Sequence, residues 1–148
     1  KNGQSRPSES IKVMASGVFD LLHPGHRYYL NQAKGLGSYL VVVVANNEVV
    51  TKSKGSSVFD ANSRAMLVQS LKCVDEVIVP GESDRARYYQ TVLDIAPDII
   101  ALGFDQEFDK DDLSKELANY GWNGQIVRLS AFPGEVYSSS QIKKSIKL

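Results

Sequence analysis

The stretch Ile11-Lys12-Val13-Met14-Ala15-Ser16-Gly17-Val18-Phe19-Asp20-Leu21-Leu22-His23-Pro24-Gly25-His26 decides the architecture of this chain. Its first six residues, 11–16, read as a buried strand that Gly17 ends. Residues 23–36 then read as a helix: Tyr28, Tyr29, Ala33 and Leu36 recur near helical spacing, and Gly35 and Gly37 mark its end. A glycine directly after a strand lets the backbone approach a ligand closely. Asp20 is placed to cap the coming helix. His23 and His26, three apart on its first turn, fall on one side beside the free N–H groups of the helix start. Gly25 between them leaves room for a phosphate, and helix N–H groups with two imidazole donors make a compact anion site. Two alternatives compete. A zinc site would need further ligands, but no third one has suitable spacing and there is no cysteine cluster. A solvated helix start would leave the imidazoles idle. Both of the chain's histidines fall in this stretch, which favours the phosphate reading.

Outward from this stretch, strands and helices alternate. Residues 39–45 hold four consecutive valines, and a β-branched run without polar alternation suggests a strand covered on both faces. Residues 46–59 are polar and read largely as a loop. Asp60 caps a helix to residue 71, with Ala65, Leu67, Val68 and Leu71 expected to face inward. Strands follow at 76–79, 98–102 and 125–129, with helices at 84–96, 111–120 and 138–147. This order means βαβ units with right-handed crossovers. The expected fold is α/β, a Rossmann-like doubly wound sheet of about five parallel strands with helices on both faces. In such sheets ligands bind beyond the carboxyl ends of the strands, where strand order reverses. Chemistry is therefore expected just after Ser16, Ala45 and Leu102.

Composition narrows the class. With 148 residues the chain is expected to form a single domain over residues 11–148. Residues 1–10 are polar, without the apolar core of a signal peptide, and read as a flexible leader or a leftover of recombinant expression. Seventeen basic residues balance seventeen acidic ones, so no net charge advertises a nucleic-acid or membrane partner. No apolar run reaches membrane-spanning length. The lone Cys73 cannot form an internal disulfide, which fits a reducing cytoplasm.

The segment from Gly17 to His26 resembles the GxFDxxHxGH signature of the cytidylyltransferase-like nucleotidyltransferase superfamily. Tyr137-Ser138-Ser139-Ser140-Gln141-Ile142-Lys143 is similar to the second family signature, an ISSTxIR-type segment. The resemblance implies that His23 and His26 are catalytic, and that Gly17, Val18, Phe19, Asp20 and Gly25 bind nucleotide. It also implies that a lysine of the loop after the second strand, Lys52 or Lys54, reaches the α-phosphate. Ser138, Ser139 and Ser140 open the last helix, where serines cap well and a capped start is also an anion site. Lys143 stands where the family usually has arginine, keeping the charge without the bidentate fork. Relatives in the glycerol-phosphate group carry an arginine just upstream; here that place holds Pro133, so one phosphate contact is either missing or supplied elsewhere, as by Arg128. Arg64 matches the arginine that opens the helix after the lysine loop. It fits a role in orienting that loop or touching phosphate, and equally that of an exposed helix arginine.

Leu102-Gly103-Phe104-Asp105-Gln106 follows the fourth strand. Gly103 permits close approach, Asp105 can accept hydrogen bonds from ribose or base, and Gln106 is expected to bind nucleotide with them. Together with Tyr137 to Ser140, this stretch looks most like the archaeal-type FAD synthetases, which are stand-alone FMN adenylyltransferases. That resemblance implies in-line attack by the phosphate of FMN on the α-phosphorus of ATP. It also implies a divalent ion, Mg²⁺ or another, carried by the triphosphate without a dedicated protein cage. A homodimer with a contact around the Arg64 helix is expected by the same likeness. The rival within this chemistry is a cytidylyltransferase using CTP and glycerol 3-phosphate or a related polyol phosphate. The rival of another class is a non-catalytic nucleotide-binding domain on the same fold.

Overall fold

The computed structural model describes residues 10–46, 59–81 and 85–131. Five strands form one parallel sheet: β1 (Lys12–Gly17), β2 (Tyr39–Val44), β3 (Glu76–Ile78), β4 (Ile99–Leu102) and β5 (Gln125–Arg128). Their spatial order is β3-β2-β1-β4-β5, so the chain reverses direction across the sheet between β1 and β4. Among the described residues, the helices are α1 (Pro24–Gly35), α2 (Ala61–Gln69), α3 (Arg85–Ile95) and α4 (Lys110–Asn119). The expected strands and helices are thus present to within about two residues. The helix expected at 138–147 lies outside the described residues.

Alternation along the strands divides the interior in two, because successive side chains leave a strand on opposite faces. Val13 and Ala15 of β1, with Leu40, Val42 and Val44 of β2, join Leu30 and Ala33 of α1 and Val68 of α2 on one face. Met14, Val41, Val43, Ile100 and Leu102 join Tyr89, Val92 and Ile95 of α3 and Leu113 and Leu117 of α4 on the other. The valine run of β2 is buried from end to end because both faces are covered.

Two details depart from the spacing argument. Leu30 is fully buried although the pattern does not single it out, and Leu67 is exposed beside Met66. The inner arc of α2 is instead Ala61, Arg64 and Val68, flanked by partly buried Ala65 and Leu71. Residue 67 falls off that arc by more than half a quadrant at 3.6 residues per turn. An arginine occupies the place where the pattern calls for an apolar residue.

The amino edge of the sheet is tied by polar contacts far from the reversal point. Asp98 accepts the Lys12 N–H at 2.8 Å, and Lys34 pairs with Asp75 at 2.5 Å. The indole N–H of Trp122 donates to the Pro97 carbonyl at 2.7 Å. A Cβ on Gly124 would lie 2.6 Å from the Asp98 carbonyl oxygen, so glycine is required there. Cys73 is half-buried, and burial pushes its thiol pKa up, away from the reactive thiolate. No helix among the described residues is long and apolar enough to cross a membrane.

Candidate active site at the reversal of strand order

The carboxyl ends of β1 and β4 meet at the reversal point, and the segment that follows β1 is built inward before it turns outward. Phe19 takes a left-handed backbone conformation, φ 54°, and buries its ring in the core, 2% exposed. A Cβ on Gly17 would lie 2.9 Å from that ring. Gly17 is therefore needed first to admit Phe19. The buried ring then supports what lies above it. Phe19 meets His26 edge to face, with centroids 5.3 Å apart, and stacks on Tyr29 at 6.5 Å.

The cap of α1 is His23 rather than Asp20. Its Nδ1 accepts the Gly25 N–H at 3.1 Å, and Pro24 fills the first helical position, where no N–H is required. Asp20, 1% exposed, accepts the Phe59 N–H at 2.8 Å and so joins this turn to the start of α2. The imidazoles of His23 and His26 stack at the helix start, centroids 3.8 Å apart and planes 25° off parallel. Because a backbone N–H can only donate, Nδ1 of His23 must be the acceptor nitrogen. In the neutral ring the proton then sits on Nε2. Burial lowers the His23 pKa below its ordinary value, with the Asp105 charge pulling the other way. The site therefore offers His23 as a neutral N–H donor near pH 7.

Arg64 is 0% exposed and carries the junction between the β1 and β2 ends. Its Nη1 donates to the carbonyls of Val18 at 2.9 Å and Ala45 at 2.6 Å, and its Nε to that of Phe59 at 3.0 Å. Of the roles open to it, orienting the chain on either side of residues 47–58 is the one this geometry fills. It is not an exposed helix arginine.

Across the reversal point, residues 103–106 form a locked turn. The Gln106 side chain accepts the Gly103 N–H and donates to the Ser16 carbonyl, both at 2.8 Å, so it staples β4 to β1. The Tyr29 hydroxyl adds a second staple, donating to the Ala101 carbonyl at 2.8 Å beside Ser16. Burial raises its pKa far above the usual phenol range, so it stays protonated. Arg128 donates to the carbonyls of Gly103 at 3.0 Å and Gln106 at 2.7 Å, and to that of Phe108. Its guanidinium thus clamps this loop. A Cβ on Gly103 would meet Asp105 and Gln106 at ordinary contact distances, so packing does not demand this glycine.

Lys52, Lys54, Tyr137, Ser138, Ser139, Ser140 and Lys143 lie outside the described residues. Of the others, Gly17, Val18, Phe19, Asp20, His23, Gly25, His26, Gly103, Asp105 and Gln106 all gather at the carboxyl edge around β1 and β4. Phe19 and Asp20 build the site from beneath. The residue that sequence reading passes over is Tyr29, whose hydroxyl is hidden among apolar helix positions; its polar tip at helical spacing is the available signal. No group of three or more His, Cys, Asp or Glu side chains among the described residues is arranged to hold a metal ion.

Comparison with known proteins places these features in a family. The cytidylyltransferase-like family pattern matches residues 14–145. A protein named FAD synthase from Thermoplasma acidophilum is 46% identical over 136 residues, 92% of this chain and 94% of the relative. Another so named, from Picrophilus torridus, is 40% identical over 92% of this chain and 96% of its own length. A crystal structure from Thermoplasma volcanium, titled a lipopolysaccharide core biosynthesis protein, superposes with a TM-score of 0.79. It is 44% identical and covers 83% of this chain and 98% of its own. The pantoate-beta-alanine ligase of Francisella tularensis shares the fold alone, with a TM-score of 0.66 and 15% identity over 95% of this chain and 67% of its own.

Proposed function

The chain belongs to the cytidylyltransferase-like family, and from that membership we propose that it transfers AMP from ATP to FMN, yielding FAD and pyrophosphate. The observation that carries the reading is the stacked His23–His26 pair at the start of α1, set at the reversal of strand order. The 40–46% identity to proteins named FAD synthase supports ATP and FMN over CTP and a polyol phosphate.

In this reaction a phosphate oxygen of FMN forms a bond to the α-phosphorus of ATP while the bond to the bridging oxygen toward the β-phosphorus breaks. Pyrophosphate leaves with that electron pair. The attacking phosphate is already an anion near neutral pH, so no general base is needed. The protein's part is positioning and stabilisation of charge on the phosphoryl oxygens. His23 donates from Nε2 while its Nδ1 is held by Gly25, so its direction is set before substrate arrives. His26, seated on Phe19, supplies the second imidazole. Lys52 or Lys54, the serines 138–140 and Lys143 are proposed to complete the cradle around the triphosphate. A divalent cation would travel with the triphosphate and offset its charge. The folded unit is taken as residues 11–148.

The test is pyrophosphate release from ATP and from CTP, each with FMN and with glycerol 3-phosphate. FAD formed from ATP and FMN alone is the expected result. Product from CTP and glycerol 3-phosphate would transfer the chain to the rival chemistry, and no product from any pair would make it a binding domain. His23→Ala and His26→Ala should each lower kcat by about a hundred- to a thousand-fold, the range for losing one preorganised donor. Unchanged turnover in either variant would remove that histidine from the mechanism.

A further inference from the structure

Among the described residues, exposed Met66, Leu67 and Ile11 lie on an outer helix face or at the sheet's amino edge. Phe104 differs in its position. It is 46% exposed, yet it directly follows Gly103 at the carboxyl end of β4, the strand that adjoins β1 at the reversal point.

A phenyl ring left in water on a mobile loop would need no explanation. This one stands on a fixed base. The turn that carries it is closed by Gln106 N–H to Gly103 carbonyl at 3.3 Å and by the Gly103 N–H to the Gln106 side chain at 2.8 Å. It is stapled to Ser16 through Gln106 at 2.8 Å, and clamped from β5 by Arg128 at Gly103 and Gln106. Ser16 immediately precedes the Gly17 turn that supports the histidines. Asp105, next to Phe104, is near enough for its charge to act on His23.

Rigid presentation of an exposed aromatic ring is how proteins offer a stacking surface, because the cost of ordering the ring is met during folding. The proposed reaction brings two planar heteroaromatic rings to this crevice. We propose that Phe104 is a stacking platform for one of them, contributing to substrate choice through ring contact and not to the phosphoryl chemistry. This rests on the functional reading above.

The test compares the full chain with Phe104→Leu, which keeps apolar bulk but no flat ring, and Phe104→Trp, which restores one. FMN binding is followed by flavin fluorescence and ATP binding by titration calorimetry. Thermal midpoints should agree among all three proteins, since the side chain is exposed. The expected result is a roughly ten-fold weaker Kd for one ring-bearing substrate in Phe104→Leu, restored in Phe104→Trp. Loss confined to FMN assigns the isoalloxazine ring to the platform, and loss confined to ATP assigns the adenine. If the unaltered chain binds both ligands and Phe104→Leu changes neither Kd, the platform is overturned while the proposed function stands. Equal weakening of both that Phe104→Trp does not repair also overturns it, by showing a merely structural role. An unaltered chain that binds neither ligand overturns the functional reading, and the platform with it.

Discussion

Two arginines hold the two sides of the site, and they do so in different surroundings. Arg64 reaches the carbonyls of Val18, Ala45 and Phe59 from within the protein, with no exposure to water. Arg128 reaches those of Gly103, Gln106 and Phe108 from the exposed end of β5. The bonding pattern is shared: a planar fork of donors satisfies loop carbonyls that no strand partner takes. The energetics are not. The buried guanidinium of Arg64 has given up its water. The exposed clamp competes with solvent at its Gln106 and Phe108 bonds. The β1 side of the site should therefore behave as core and the β4 side as an exposed rim, which Gln106 and Tyr29 hold along with its arginine.

The sharpest way to break this contrast is Arg64→Ala. It leaves three carbonyls without their donor and takes the counter-charge from Asp20, with a cavity besides. We expect a loss of about 3–5 kcal/mol in denaturant unfolding, a large part of a typical domain's stability. Arg64→Lys should recover part of the loss, since it keeps the charge but not the fork. An Arg64→Ala protein as stable as its parent would show that the junction is held by other contacts. Gly17→Ala probes the same side by steric means. Its Cβ would enter the Phe19 ring at 2.9 Å, and overpacking of this kind costs about 1–3 kcal/mol. Because Phe19 supports His26, kcat should fall along with stability.

On the opposite side, Arg128→Ala should cost about 1 kcal/mol or less in stability, because water replaces the lost donors. Its larger effect should be on substrate KM, as the turn at 103–108 loosens. A loss matching that of Arg64→Ala would abolish the distinction between core and rim. Gly103→Ala should leave stability within about 0.5 kcal/mol and raise KM, since the space it fills is not needed for packing.

How much of this is legible in the sequence follows the same division. The strands and their burial are readable because a parallel sheet covered on both faces writes apolar runs such as Leu40 to Val44. The histidine pair is readable because a strand, a glycine and a helix start fix its position. The roles of Arg64 and Arg128 are not. A guanidinium that seeks backbone carbonyls leaves no periodic trace, and the same residue type serves as a surface charge, a phosphate ligand or a clamp. Residue type alone points to Asp20 as the helix cap, but the cap falls to His23 three residues later. An imidazole with an acceptor nitrogen can do the same work as a carboxylate. Tertiary partners distant in sequence, such as Phe59 for Asp20, decide these cases.

The smallest expected effect joins the two sides through one proton. Burial on the β1 side holds the His23 pKa below its ordinary value of 6.5, while Asp105 on the β4 side pulls it upward. Below pH 6.5 the unfolded chain binds a proton that the folded chain resists. This group's contribution to stability is therefore full above that pH and declines as pH falls toward the folded-state value. Asp105→Asn removes the opposing charge, so the His23 pKa should fall further. The neutral Nε2 donor would then persist to lower pH, and the acid limb of the kcat profile should shift the same way. Nitrogen-detected NMR titration of the imidazole measures the change directly. A rise in the His23 pKa in Asp105→Asn would mean that the Asp105 charge does not raise it.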